Sequence, residues 1–323
     1  MSLTRQTAVP PRALAFVWGG IGNMVMALPM LAALRNGKTL AVVAQTSAML
    51  ELVERDSFAA AVALDEPRFR GLSGAMRLVG QLRSFRADIT VSSIPAPRRF
   101  AALALLAGVR RVDEVPAPDG ARHIVHRNLS QLGRIGSVQG KLDYSLLHRE
   151  DAAPSLRSLG IAANEGIVGI FMGAGHPMRR WPRDRFEELT GRLAANHRVI
   201  LFTEPGVTGG DRTTGRVGVF DGSLRQKLGL LAVCRLFVGA NTGLTHCAAA
   251  LGVPTLELAG PTDPAVYGAR GTRAATLKSD LQCAPCYRSG NRYGCQLRPA
   301  PCMESITVGR VLAAAETLLS NRP

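Results

Sequence analysis

The sequence predicts an α/β protein built from two doubly wound parallel sheets in tandem. Three observations carry that expectation. Short apolar runs alternate with segments of helical spacing along most of the 323 residues. The alternation starts twice, near Ala13 and near Gly166, and the stretch from Leu142 to Asn164 between them loosens into charges, Pro154 and Gly160. Three loops that follow the carboxyl ends of strands are made of small and polar residues, where open α/β sheets bind ligands. The expected division is residues 1–155 and residues 156–323, each long enough for its own core.

In the first half, strands are expected over residues 13–18, 39–44, 59–64, 87–92 and 109–112. Helices are expected over 24–35, 47–55, 74–85 and 98–107, followed by an amphipathic helix over 123–132. Residues 13–34 carry no charge and follow Arg5 and Arg12, which imitates a signal peptide or a membrane span. Gly19-Gly20-Ile21-Gly22-Asn23 sits inside that stretch, and a strand, a glycine turn and a helix account for it better. A cytoplasmic protein is therefore expected. In the second half, strands are expected over 166–171, 198–203, 236–239 and 255–259. The sequence Trp181-Pro182-Arg183-Asp184 opens a helix, with Asp184 and Glu187 early in it, where the helix dipole favours acids. Further helices are expected over 223–234 and 305–319, and an Ala-rich one after Gly243.

Hydrophobic residues make up 46% and charged residues 20%, the balance of a globular protein. Lys and Arg number 39 against 24 Asp and Glu, for a net charge of +15 and a pI near 10.7. That favours acidic partners. The basic residues are mostly Arg and are spread along the chain, aromatics are 5%, and there is no basic tail or zinc-finger spacing, so no nucleic-acid partner is expected.

The strand-end loops hold the candidate site residues. In the first half, Gly20 and Gly22 suit close approach to a ligand and Asn23 opens the helix. In the second, Gly173 and Gly175 leave room for a phosphate that Arg179 or Arg180 would neutralise. The third loop is Asn241-Thr242-Gly243. There Thr242 is expected to cap the helix, Gly243 to admit a phosphate to the backbone, and His246 to sit on the first turn. Read plainly, this is also an ordinary helix cap with a structural histidine. Two anion-friendly loops on one domain point to a diphosphate-bearing ligand such as a nucleotide sugar.

The combination Gly173-Ala174-Gly175, Arg179-Arg180-Trp181-Pro182, the run Val238 to Pro254 and Gly260-Pro261-Thr262-Asp263-Pro264 resembles the ADP-heptose:lipopolysaccharide heptosyltransferases of glycosyltransferase family 9. Residues 20–29, His123 with Arg127-Asn128-Leu129, and the cysteine-rich tail ending Cys302-Met303-Glu304-Ser305-Ile306 are similar to it as well. The resemblance implies a GT-B fold of two Rossmann-like domains around a central cleft, with the acceptor held mainly by the first and the donor by the second. It implies an inverting transfer of a heptose or related sugar from an ADP-sugar to a lipopolysaccharide-core or other envelope acceptor. No metal or other cofactor is obligatory, and peripheral contact with the inner membrane is expected of an enzyme with an acidic lipid-linked acceptor. By position, Arg179 replaces the family's phosphate-binding lysine, and Asn241, Thr242, Gly243 and His246 replace its Asp-Thr-Gly…His.

Two departures matter. The family's catalytic carboxylate falls at Asn23, and an amide cannot act as a general base, so Asn23 is assigned to orienting the acceptor hydroxyl. Asn241 likewise removes a negative charge near the diphosphate. Catalysis is then expected to rest on orientation and on leaving-group stabilisation by Arg179 and helix amides. A non-catalytic nucleotide-sugar or glycolipid binding protein of the same fold is the alternative. Cys234 and Cys247 read as small core residues, whereas Cys283, Cys286, Cys295 and Cys302 crowd into a short tail whose spacing permits a structural zinc without requiring one.

Overall fold

The computed structural model describes residues 10–93, 108, 123–134, 142–203, 212–288, 292–295 and 297–320. The expected helix over 98–107 and strand over 109–112 lie outside the described residues. Two compact units result, Met1–Ala121 with Val125–Leu146, and Arg122–Ile124 with Leu147–Pro323.

In the first unit, β1 (Arg12–Val17), β2 (Thr39–Ala44), β3 (Ala60–Ala63) and β4 (Ile89–Ser92) form a parallel sheet of order β3-β2-β1-β4. The order reverses between β1 and β4, which makes their carboxyl ends the switch point of this sheet. The charge-free stretch resolves into β1, a glycine turn and α1 (Ile21–Arg35). Met24 through Leu31 of α1 are all buried, which is why that run carries no charge. Among the described residues no helix is long and apolar enough to cross a membrane.

The expected helix over 47–55 is a single turn, α2 (Ser47–Leu50), followed later by a 3-10 turn at Arg55–Ser57. Asp65 takes both the backbone N–H and the hydroxyl of Ser47, and the chain then leaves the helix to bury Leu52 and Val53. The next helix, α3 (Gly71–Phe85), starts three residues before the expected position and packs Leu78 and Leu82 against Phe16, Trp18 and Phe69. Then come α4 (Ile124–Ser130), closed by a 3-10 turn, and α5 (Ala153–Ser158) in the loosened stretch. Asn128 of α4 donates to the Met26 carbonyl of α1.

In the second unit seven strands pair: β5 (Ile167–Phe171), β6 (Arg198–Phe202), β7 (Arg212–Thr214), β8 (Val217–Phe220), β9 (Cys234–Ala240), β10 (Thr255–Ala259) and β11 (Ala274–Lys278). The order is β11-β10-β9-β5-β6-β8-β7, parallel except for β7, which runs antiparallel to β8. Numbered from β5 and leaving out β7, this is 3-2-1-4-5-6 with the reversal between β5 and β9. The sequence reading missed β7, β8 and β11. The first is three polar residues, β8 is interrupted by Gly218, and β11 is a half-exposed edge, so none shows a clear apolar run.

The helices of this unit are α6 (Arg183–Ala194), α7 (Leu224–Ala232), α8 (Gly243–Ala250), α9 (Pro264–Tyr267), α10 (Pro301–Glu304) and α11 (Val308–Ser320). Phe186, Leu189 and Leu193 of α6 and Val308, Val311 and Ala315 of α11 share a core with Val168, Ile170, Leu236, Val238, Leu256 and Leu258 of the sheet. Trp181 is sealed in it: its indole N–H donates to the Ile306 carbonyl at 2.8 Å and its ring meets Phe186 edge-on at 4.8 Å. Arg185 binds the carbonyls of Glu304 and Ile306. The Trp-Pro-Arg-Asp-Arg-Phe motif therefore ties α6 to α10 and α11 and keeps the loop before it in place.

Candidate functional site

The second unit's switch point lies where β5 and β9 end side by side, with Phe171 in register with Gly239. The chain after β5 turns through Gly173 and Gly175 to His176. The Nδ1 of His176 accepts from the Met178 N–H at 3.2 Å and starts a 3-10 turn over Pro177–Arg179. That turn delivers Arg179. The two glycines differ in use: a β-carbon at Gly173 would meet the Phe171 ring, whereas nothing lies within 4 Å of the corresponding point at Gly175. Only Gly175 leaves open room beside the loop.

Arg179 is held on one side and open on the other. Its Nε–H donates to the Tyr293 hydroxyl at 2.8 Å, and its guanidinium carbon lies 4.9 Å from the Tyr287 ring centre and 6.0 Å from that of Tyr293. The two tyrosines belong to a small antiparallel hairpin, β12 (Tyr287–Arg288) and β13 (Arg292–Tyr293), and their rings lie 5.2 Å apart. Tyr293 also stacks on His176 at 4.4 Å, and Tyr287 meets Tyr267 edge-on at 5.3 Å. Burial raises the pKa of the Tyr293 hydroxyl, so it stays protonated beside the guanidinium. Neither Nη of Arg179 bonds a described residue, and both remain for an anion. Arg180 is exposed and ends the same turn.

After β9 the chain passes Asn241 and Thr242 into α8. Thr242 occupies the capping position, but its hydroxyl makes no cap bond. It lies 3.0 Å from the Thr245 hydroxyl, whose only proton goes to the Ala240 carbonyl, so Thr242 donates to Thr245. The expectation that Thr242 caps the helix is corrected on this point. Diverting the hydroxyl leaves the N–H groups at the start of α8 without a side-chain cap, and uncapped amides at a helix N-terminus are where an anion binds.

His246, one turn in, is 4% exposed. Burial first, then His123 and Arg179, push its pKa down to about 3, so the imidazole is neutral. It has one donor and one acceptor nitrogen, and neither bonds a described residue. His123, which belongs with this unit, donates from Nε2 to the Gly268 carbonyl at 2.8 Å. Asn241 is 5% exposed, and its amide N–H groups go to Glu257 Oε1 at 2.5 Å and the Tyr267 carbonyl at 2.9 Å.

In the first unit the loop after β1 is locked to the end of β4. The Trp18 N–H donates to Ser93 Oγ at 3.0 Å and its indole N–H to Ser92 Oγ at 2.8 Å. Gly19 has a positive φ of 96°, and a β-carbon there would sit 2.6 Å from Asn23 Cγ. Gly20 and Gly22 are followed directly by Asn23 at the third position of α1, and no hydrogen bond ties its carboxamide to a described residue. The bare glycine lets the Asn23 side chain lie across the strand end, at the switch point of this sheet.

Residues 98–297 match glycosyltransferase family 9 (heptosyltransferase). The chain belongs to glycosyltransferase family 9. It is similar to lipopolysaccharide heptosyltransferase 1 of Pseudomonas aeruginosa, 33% identical over 123 residues that are 36% of this chain and 34% of that protein. It is also similar to lipopolysaccharide heptosyltransferase 3 of Escherichia coli, 28% identical over 162 residues that are 46% of each. The chain thus matches about a third to a half of the length of these curated relatives. Among solved structures, a glycosyl transferase of family 9 from Veillonella parvula superposes with a TM-score of 0.75 at 18% identity, over 99% of this chain and 100% of that one. The E. coli ADP-heptose LPS heptosyltransferase II superposes with a TM-score of 0.71 at 19% identity, over 96% and 98%. The family 9 fold here is GT-B, with two Rossmann-like units.

The cysteine tail of this family 9 chain lies close to the hairpin that holds Arg179. Among the described residues no group of three or more His, Cys, Asp or Glu side chains is arranged to hold a metal ion. Cys283 is exposed, Cys286 and Cys295 are half-buried, and Cys302 is buried on α10 against Met303 and Gly260. Burial, followed by the neighbouring thiols of Cys286, Cys295 and Cys283, pushes the Cys302 thiol up to about 11. Cys286 and Cys295 border the tyrosine hairpin that holds Arg179. Sequence reasoning passed over Tyr267, Tyr287, Tyr293 and Glu257. The last carried a signal, since a lone Glu inside the apolar run Thr-Leu-Glu-Leu-Ala must be buried and must have partners.

Proposed function

We propose that the chain is an inverting glycosyltransferase that moves a heptose or related sugar from an ADP-sugar to an acidic lipid-linked acceptor such as a lipopolysaccharide core. One observation carries the reading: the switch point of the seven-stranded sheet gathers a pre-held guanidinium, an uncapped helix N-terminus and a neutral buried imidazole. That is the equipment for a diphosphate leaving group with a polar sugar attached. In support, E. coli heptosyltransferase WaaC, solved with ADP, superposes on 95% of this chain at a TM-score of 0.65.

In this reading the second unit binds the donor. The Arg179 Nη groups and the α8 amides hold the diphosphate and take up the charge that develops as the bond from the anomeric carbon to the phosphate oxygen breaks. Gly175 and Gly243 allow the phosphates near the backbone, and Arg180 adds positive charge at the rim. The first unit binds the acceptor, with Gly20 and Gly22 opening the loop and the Asn23 amide orienting the attacking hydroxyl. Asn23 is no base, so the hydroxyl proton leaves late, to water. The net charge of +15 suits an acidic acceptor and a peripheral station on the cytoplasmic face of the inner membrane. No step runs through a metal.

The test is to titrate the protein with ADP, ADP-heptose, UDP-glucose and GDP-mannose, then assay ADP release with a heptose-deficient core acceptor. Selective ADP-heptose binding with transfer supports the proposal. Tight binding with neither transfer nor hydrolysis makes the chain a binding protein, and preference for another nucleotide overturns the donor assignment.

A further inference from the structure

Glu257 is a carboxyl group in the middle of a parallel sheet. It sits on β10 between Gly239 of β9 and Thr276 of β11, and is 1% exposed. Such burial is unfavourable unless hydrogen bonds satisfy the oxygens, and here burial outweighs the bonds and raises the pKa of the carboxyl group. Three bonds reach it. Oε2 accepts from the Ala269 N–H at 2.7 Å and from the Thr276 hydroxyl at 3.5 Å, and Oε1 accepts from Asn241 Nδ2 at 2.5 Å.

The partner of that last bond is a donor-loop residue. An Asn amide has two N–H donors, and Asn241 spends one on Glu257 and the other on the Tyr267 carbonyl. Both partners are acceptors, so the orientation of the amide is determined: nitrogen toward β10 and the Tyr267 carbonyl, oxygen away from them. The oxygen bonds no described residue, and although Asn241 is only 5% exposed the oxygen is not sealed off, so it faces open space. A fixed acceptor facing open space at the carboxyl end of β9, next to an uncapped helix start, is a good element of a ligand site.

We propose that Glu257 is the positioning residue of the donor site, taking the Asn241 N–H so that Asn241 Oδ1 stands as a fixed acceptor for a hydroxyl of the bound ADP-sugar. This rests on the donor reading above and adds a named contact to it. It also explains why an amide rather than a carboxylate serves at 241. An Asp there would set a second carboxyl group 2.5 Å from one whose pKa burial already raises, and would place a carboxyl oxygen against the Tyr267 carbonyl. Through Ala269, the Glu257 carboxyl group also holds the turn after α9, which carries Tyr267 to Tyr287 and so to Arg179.

The test is a substitution cycle read by calorimetric titration with ADP-heptose, with thermal melts as the folding control. Asn241→Asp is expected to weaken binding about 100-fold, and less as the pH falls and the adjacent carboxyl groups take up a proton. Adding Glu257→Gln to Asn241→Asp restores an amide donor opposite the new carboxylate and is expected to recover at least about tenfold, although Glu257→Gln alone weakens binding. Rescue of affinity in the double variant supports the assignment, because loss of packing alone does not reverse. A double variant that binds no better than Asn241→Asp overturns it, and so do altered melting temperatures with unchanged affinity. Failure of the wild-type protein to bind ADP-heptose is a different result and overturns the donor reading itself.

Discussion

Replacing Arg179 by Lys keeps the charge and removes the geometry, so it isolates what the tyrosine hairpin contributes. The guanidinium is anchored by its Nε bond to Tyr293 and by its face against Tyr287, leaving two Nη groups for the ligand. A lysine keeps the long-range attraction to a diphosphate but loses one arm of the fork, a charge-assisted bond worth about 1.5 kcal/mol. Nothing then holds the ammonium in place, and ordering it on binding costs about 0.5–1.5 kcal/mol. The sum is about 2–3 kcal/mol, or roughly 30- to 150-fold in affinity. Tyr293→Phe leaves the fork whole and removes only its anchor, so its loss is expected to be smaller, about fivefold. Calorimetric titration with ADP measures both, with thermal melts to show that the hairpin stays folded. If Arg179→Lys binds ADP within about threefold of the wild type, the guanidinium is not the phosphate ligand and the reasoning fails.

Gly19→Ala forces a side chain into a φ of 96° and onto Asn23, so stability is expected to drop by about 1–2 kcal/mol and turnover by about tenfold, with donor affinity unchanged; steady-state kinetics beside a denaturant melt separate the three. His246 is held at a pKa of about 3 against 6.5 when unfolded, so the unfolded chain binds more protons between these values and stability falls as the pH drops below 6.5. The fall is up to about 1.4 kcal/mol per pH unit, and melts from pH 7.5 to 5 should lose this slope in His246→Gln. Timed alkylation read by mass spectrometry should label exposed Cys283 first, and Cys302, buried with a thiol pKa of about 11, among the last; early labelling of Cys302 would place the tail elsewhere.

Much of the fold was legible because the strands that build both switch points are apolar runs. The run over Ala13–Val17 and the run over Leu236–Ala240 are buried on both faces, and buried parallel strands read as continuous apolar segments. The edge strands were not legible, because a half-exposed strand such as β11 is chosen by its neighbour rather than by its own residues. The site followed the same rule. Arg179, His246 and the glycines stand in loops whose residue types announce their chemistry. Tyr287 and Tyr293 come from a two-strand hairpin more than a hundred residues further along the chain, and no local pattern links them to Arg179.

The two asparagines that depart from the family's pattern are not equivalent, and the difference is one of neighbours. At 241 the missing carboxyl group has a counterpart one hydrogen bond away, because Glu257 sits behind the amide. The site there keeps an acidic group, moved from the loop to the strand, while presenting an amide oxygen to the ligand. At 23 no acidic group among the described residues bonds the carboxamide, which lies over the bare Gly19. A carboxyl group restored at 241 therefore meets a second one and is expected to harm the proposed donor site. One restored at 23 meets no such partner among the described residues, and at the third position of α1 the helix dipole favours it. Asn23→Asp is thus the substitution expected to raise turnover, by supplying the base the wild-type loop lacks, and a rate that does not change would mean that proton removal is not what limits this chain.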